Sequence, residues 1–310
     1  MTAPTDLDSR VRVAAFAFLA EQVRAHGDEL PFGVLSRGFT FDGKRVPLLG
    51  PQGIFKPAVL PELPLSITTA PMVAGRERPY EDEIAEDGKL FYRYRGTNPD
   101  HPDNVGLRAA MRRRTPLIYL HGVAKGWYVA AWPVFVVEDN PARLTFTAMV
   151  GSQPLDLSGP ASLAGMAAES DDLRRYATRT TLVRLHQRSF RMKVLVAYRE
   201  RCSICRLRHR ELLDAAHILP DGHPRGKAIV PNGLSLCRLH HSAFDVNVLG
   251  VTPDLEVRIR ADVLEERDGP MLLHGLQGFH GARIHVPRSD DLKPSREFLA
   301  ERYDLFRKAS

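Results

Sequence analysis

The sequence predicts an α+β chain of two domains: a mainly β amino-terminal domain and a carboxy-terminal domain organised around metal-type side chains. Three observations carry this. Between residues 30 and 150, short apolar runs alternate with recurrent Gly and Pro, the texture of strands joined by turns. Residues 151–170, "GSQPLDLSGPASLAGMAAES", are rich in Gly, Ser, Pro and Ala and read as a linker. All three cysteines of the 310-residue chain fall within residues 202–237.

The elements follow in order. Residues 8–26 carry apolar side chains at helical spacing. Strands are expected in "LPLSITTAP", "KLFYRYRG" (89–96), "TPLIYLHGV", "WYVAAWPVFVVED" and "ARLTFTAMV". A helix is expected over about 171–200. Between residues 174 and 210 there are twelve Arg or Lys and one acidic residue, Glu200. A solvated helix face usually mixes signs, so this run favours a phosphate-facing surface. The tail predicts a strand in "LEVRIRA", another in "ARIHVP" and a final helix in "SREFLAERYDLFRK".

Composition narrows the function classes. A hydrophobic content of 44% and a charged content of 26% suit a globular protein. No apolar run approaches the roughly 20 residues a bilayer span needs. The amino terminus lacks a basic-then-apolar signal pattern, so a cytoplasmic location and no membrane partner are expected. A net charge of +6 is compatible with a polyanionic partner and equally with an ordinary basic protein.

The cysteines point to chemistry. An odd number, two of them spaced C-x-x-C, argues against a disulfide framework and leaves a redox dithiol or a metal site. "RCSIC" supplies Cys202 and Cys205; after thirty-one residues "CRLHH" supplies Cys237 and His240. Two short-spaced ligand pairs brought together by a folded-back chain are how a tetrahedral Cys3His structural zinc (Zn²⁺) site is built. His217, Asn232, His241 and Asp245 remain. His241 and Asp245 stand four apart, so on a helix both project from one face and can share a metal. His240, about 100° away, points elsewhere. Two sites are therefore expected, clamped together. Taken singly, each of these residues is as easily a packed or capping side chain; their order and spacing raise them.

The pattern C-x-x-C … AAHI … NGL-x-L-C-x-x-HH-x-x-FD resembles the HNH endonuclease domain, the ββα-metal nuclease motif, with His217, Asn232 and His241 matching its H, N and H. His240 stands where most members have a fourth cysteine. Ala216 stands where the family often has a ligating Asp or His, and Asp214 is the nearest carboxylate. The resemblance implies a DNA endonuclease. His217 would be the general base and Asn232 would orient it. His241, Asp245 and Asp214 would hold a catalytic Mg²⁺ or Mn²⁺.

Upstream, Tyr80, Tyr92 and Tyr94 lie near Asp82, Glu83, Glu86 and Asp87. Tyrosines in strands usually pack, and "EDG" is a turn signal. Yet "YEDE", "DGKLFYRYRG", "DNVGLRAAM" and "TPLIYLHGV", within residues 45–150, are similar to the SRA domain, a reader of 5-methylcytosine. That similarity implies a PUA-type β-barrel that flips a cytosine between Tyr80 and Tyr94. Glu83 would accept from its amino group, with Asp82 as rival.

The expected organisation is an SRA-like domain with its amino-terminal helix over 1–155, a linker over 156–172 and an HNH domain over 173–310, its motif core at 200–250. The implied partner is double-stranded DNA with 5-methyl- or 5-hydroxymethylcytosine. One HNH site cuts one strand, so a homodimer is expected for double-strand cleavage. The rivals are a nuclease indifferent to modification and a non-catalytic zinc-containing DNA-binding protein.

Overall fold

A computed structural model describes residues 5–70, 89–151, 171–267 and 269–309. Tyr80, Asp82 and Glu83, and nearly all of the linker expected over 156–172, lie outside the described residues. The chain divides into two compact units, Met1–Arg188 and Ser189–Ser310.

Unit 1 opens with helix α1 (Thr5–His26), whose buried Val11, Ala15, Phe16 and Leu19 repeat at helical spacing and form one apolar stripe. Arg12, on the same helix, is fully buried. Its charge is matched by Asp8 at 2.6 Å, and its remaining donors reach the carbonyls of Pro116 (2.9 Å) and Pro64 (3.0 Å). A buried cation paired in this way fastens the helix to two loops. There follow β1 (Glu29–Pro31), α2 (Phe32–Arg37), the hairpin β2 (Phe39–Phe41) and β3 (Lys44–Val46), β4 (Ile54–Phe55) and β5 (Ser66–Thr69). The rest of the unit comprises β6 (Leu90–Arg93), α3 (Pro102–Arg112), β7 (Leu117–Ala124), β8 (Trp127–Asn140) and β9 (Thr145–Val150).

Seven of these strands form one sheet, in the order β4-β5-β7-β8-β9-β6, with β1 also pairing β8. β7 lies inside it and is buried at every position, which is why its sequence reads as a continuous apolar run rather than an alternation. The barrel expected from the SRA-like resemblance is not what the described residues form. Closure requires the end strands to pair, but β4 is two residues long and joins β5, while β6 joins β9. The sheet is open.

Helix α4 (Asp171–Ala197) carries the chain into unit 2. There β10 (Leu213–His217) and β11 (Gly233–Cys237) form an antiparallel pair, and α5 (Arg238–Asp245) follows β11 directly. A second pair, β12 (Leu249–Val251) and β13 (Val257–Ile259), leads to the short helices α6 (Ala261–Glu265) and α7 (Pro270–Gly275) and to α8 (Arg296–Ala309). The strand expected in "ARIHVP" is reduced to a single bridge, Arg283 to Glu256.

The core of unit 2 packs Phe190, Val194 and Leu195 of α4 against Ala216, Leu234, Leu236 and Phe244. The approach is closest at Gly233. A Cβ there would lie 2.5 Å from the Val194 side chain and 2.9 Å from the Phe190 ring, so only glycine admits the helix.

Candidate active site and metal centre

The β10–β11–α5 segment brings the two predicted sets of side chains together in unit 2. Cys202 and Cys205 sit on a tight turn, with Cys202 N–H donating to Leu207 O (3.0 Å) and Arg206 N–H to Cys202 O (3.1 Å). Cys237 closes β11 and His240 lies on the first turn of α5. The ligand atoms of the four residues all lie within 4.8 Å of one another. His240 Nδ1 is 3.4 Å from Cys202 Sγ and 3.2 Å from Cys237 Sγ, and the Cys205 and Cys237 sulfurs are 3.9 Å apart. Zn–S bonds of about 2.3 Å at tetrahedral angles place sulfurs about 3.8 Å apart, so this donor set fits zinc.

The second contact of the histidine fixes its tautomer. His240 Nε2 lies 2.8 Å from Gly275 O, which turns the Nδ1 lone pair toward the thiols. Crowding separates the thiols electrostatically: hydrogen bonds from Cys205 and Cys237, with burial, push Cys202 up, whereas hydrogen bonds from Cys202 and Cys205 pull Cys237 down. The pairing to a cation that such a cluster favours is the chemistry of a metal thiolate site.

Beside this knot lies the second set. His217 ends β10 directly opposite Gly233. Its ring stacks on Phe190, with centroids 4.0 Å apart and an interplanar angle of 21°. Its Nε2 is buried and has no hydrogen-bond partner among the described residues. Burial holds the His217 pKa below the ordinary 6.5, against the pull of Asp221, so the neutral imidazole is favoured.

Asn232 is fully buried and clamps the loop that follows His217. Its Oδ1 accepts from Leu219 N–H (2.9 Å), and its Nδ2 donates to Leu219 O (3.0 Å) and Lys227 O (3.1 Å). The side chain therefore makes three hydrogen bonds to backbone on either side of that loop and acts on its shape.

His241 stands between two carboxylates. Asp214 Oδ2 is 3.6 Å from Nδ1, and Asp245 Oδ2 is 3.4 Å from Nε2. The hydrogen bond to Asp214 raises the His241 pKa above 6.5, opposed by burial. Burial would raise Asp214, but His241, the Ala215 N–H and Arg191 together draw it below its ordinary value. The two carboxylates, expected beside His241 on one cation, address opposite nitrogens of its ring in this structure. Among the described residues, the four zinc-type ligands are the group of three or more that closes up tightly.

Two participants escape sequence reasoning. Arg191 of α4 places Nε 3.5 Å from Asp214 Oδ1 and donates to Leu213 O (2.9 Å) and Arg210 O (3.1 Å). Phe190, its neighbour, covers His217. Both lie in the basic helical run, where nothing in the pattern separates them from surface residues.

Of the expected base pocket, only Tyr94 is described. It is 2% exposed, one face of its ring stacks on Phe146 at 4.5 Å, and its hydroxyl contacts Asp139 and, at 3.2 Å, Arg108. Tyr94 is thus a packed core residue rather than an open stacking platform, because its apolar ring and its hydroxyl both find partners within unit 1.

Among known solved structures, one titled "Modification dependent TagI restriction endonuclease" aligns over 79% of this chain and 82% of its own, at 17% identity and a TM-score of 0.30. Another, "Structure of the Type IV phosphorothioation-dependent restriction endonuclease ScoMcrA", aligns over 57% of this chain and 52% of its own, at 13% identity and a TM-score of 0.21. No curated protein sequence matches the chain. Among the described residues, no helix is long and apolar enough to cross a membrane. Residues 202–252, which hold the zinc-type ligands from Cys202 to His240 together with His217, Asn232, His241 and Asp245, match the HNH endonuclease family, and the chain carries a DNA endonuclease domain of that type.

Proposed function

We propose that the chain is a modification-dependent DNA endonuclease, in which unit 2 hydrolyses a phosphodiester bond and unit 1 reads a modified cytosine. The observation that carries the hydrolytic reading is the convergence of a half-buried neutral His217, its loop clamped by Asn232, with the His241–Asp245 pair on one short ββα segment.

His217 takes a proton from the water that attacks phosphorus as the bond to the 3′-oxygen breaks. With Nε2 sealed off, Nδ1 is the nitrogen left to accept it, and the neutral ring carries its hydrogen on Nε2. His241 Nε2 and Asp245 are the donors that would hold a divalent cation, Mg²⁺ or Mn²⁺. Asp214 is better placed to orient His241 through Nδ1 than to ligate beside Asp245. The cation, when bound, polarises the phosphate and stabilises the leaving 3′-oxygen. Cys202, Cys205, Cys237 and His240 would hold a structural zinc, which would keep the turn, β11 and α5 in register.

The reading of 5-methyl- or 5-hydroxymethylcytosine rests on the SRA-like sequence similarity over residues 45–150. Tyr80 supplies a stacking ring, and Glu83, or Asp82, accepts from the cytosine amino group. Because one site cuts one strand, double-strand cleavage uses two copies of the chain.

Matched plasmids, unmodified and cytosine-methylated, incubated with the protein and Mg²⁺ or Mn²⁺, test both halves. Cutting of the methylated plasmid alone, abolished in His217→Ala, is the expected result. Equal cutting of both retains the nuclease and removes the modified-base reader. No cutting of either methylated or hydroxymethylated DNA removes the catalytic reading.

A further inference from the structure

The zinc turn has a second face that the hydrolytic site does not use. A cavity of about 190 Å³ opens there, and Arg199, Arg201, Arg206, Arg288, His285 and Ser203 are among its lining residues. No Asp or Glu lines it, and none of His217, Asn232, His241 and Asp245 does. The four arginines make no ion pair among the described residues. Three other arginines of the basic run are paired: Arg188 reaches Asp28 at 2.9 Å, Arg191 Asp214 at 3.5 Å and Arg210 Glu200 at 3.6 Å.

A second observation concerns another residue of the same lining. Ser203 is 1% exposed, and its hydroxyl is buried with no hydrogen-bond partner among the described residues. A buried hydroxyl without a partner is unfavourable, so it is retained where something completes it. The backbone around it is firmly held: Ser203 N–H donates to Ser235 O (2.7 Å), and His285 N–H donates to Ser203 O (2.7 Å). Arg206 adopts a left-handed φ of 66° on the Cys202–Cys205 turn. Four arginines and a serine with an unpaired hydroxyl line one cavity, a composition with hydrogen-bond donors in excess that suits an anion. The volume lies below the roughly 300–1,000 Å³ of cavities that enclose whole small molecules, so the ligand is an ionic group on a larger body.

We propose that this pocket grips a backbone phosphate of the DNA, away from the bond that is cut, with Arg206 and Arg288 as its principal cations and Ser203 completing the shell. That the phosphate belongs to DNA rests on the endonuclease reading; that the site takes a phosphate rests on its own residues. Because the turn that carries Cys202 and Cys205 also carries Ser203 and Arg206, the zinc knot shapes the phosphate clamp as well as α5.

The test uses the full zinc-loaded chain without added divalent cation, so that binding is read apart from cleavage. Duplex DNA affinity is followed by fluorescence anisotropy across salt concentrations, and inorganic phosphate binding by calorimetry. Arg206→Gln with Arg288→Gln is compared with a control pair of equal charge loss, Arg296→Gln with Arg307→Gln. The pocket pair is expected to weaken DNA binding at least about tenfold near 0.1 M salt and to flatten the log–log salt dependence by about 1, for the one phosphate no longer neutralised. The control pair should change affinity less than about twofold. A pocket pair that behaves like the control overturns the proposal. So does a loss confined to inorganic phosphate with DNA affinity untouched, which would make this a small-anion site. If the pocket pair loses zinc or fails to fold, Ser203→Ala decides without altering charge: about threefold weaker binding of both probes supports the clamp, and unchanged binding of both overturns it. Dependence of cleavage on His217 is read in the plasmid assay, so failure here leaves that reading standing.

Discussion

His217 is tuned by what surrounds it rather than by what it bonds. Phe190 covers one face of the ring and burial disfavours the imidazolium, so the base is ready below the ordinary histidine pKa of 6.5. The acid limb of single-turnover cleavage against pH should therefore fall below 6.5; a limb above that value would remove His217 as the base. Replacing His217 by Ala should cost about 10²–10⁴-fold in rate, measured at saturating DNA. His241 is shifted the opposite way, by Asp214. With a folded pKa raised above the unfolded one, its contribution to stability is present below about 6.5 and lost as pH rises through the folded value. For His217, depressed by burial, the contribution is present above about 6.5 and lost as pH falls through its folded value. Asp214→Asn removes the anion that raises the His241 pKa. In the metal-free protein the His241 ring resonances should then titrate at lower pH by NMR, while the zinc-binding stoichiometry stays the same. An unchanged titration would mean that Asp214 does not position that ring.

At the scale of the element, the β10–β11 pair is built around two adjacent residues with separate tasks. Asn232 satisfies backbone groups on both sides of the loop after His217, and Gly233 lets α4 come close enough to place Phe190 on the ring. Asn232→Ala leaves buried backbone groups unpaired and should destabilise unit 2 by about 1–3 kcal/mol, read by denaturant unfolding. Gly233→Ala forces a Cβ to within 2.5 Å of Val194, an overpacking that should cost about 1–3 kcal/mol and lower the cleavage rate by displacing Phe190 and His217. The gapless apolar texture of β7 makes that strand readable from sequence. The strand expected in "ARIHVP" is readable only as a tendency. An alternating hexamer has no partner until the chain supplies one, and here it meets Glu256 at a single bridge. Closure of the sheet into a barrel is likewise not legible locally, because it is a property of which edges meet.

Across the whole molecule, two units with separate apolar cores should respond separately to loss of metal. The knot lies at the junction of the Cys202 turn, β11 and α5, so a strong chelator should unfold unit 2 and spare unit 1. Thermal unfolding should then show one transition shifted and one unchanged, with three thiols becoming reactive. Two unshifted transitions would mean that the ligands fold without their metal.

Local chemistry was legible in the order of residues. The Cys3His set, the histidine and asparagine of the motif and the basic run at 174–210 are short-range patterns, and short spacing limits how far their members can separate. What only tertiary structure decided is how those groups face one another. Asp214 and Asp245 fall on opposite nitrogens of His241, Tyr94 turns into the core beside Phe146, and the cations of one basic run divide between paired arginines and an unpaired cluster at the zinc turn. The reason is physical. A motif specifies which side chains a stretch of backbone carries, but direction, burial and pairing depend on the partners that distant segments bring, here α4 over β10 and the 285–288 segment beside the zinc turn.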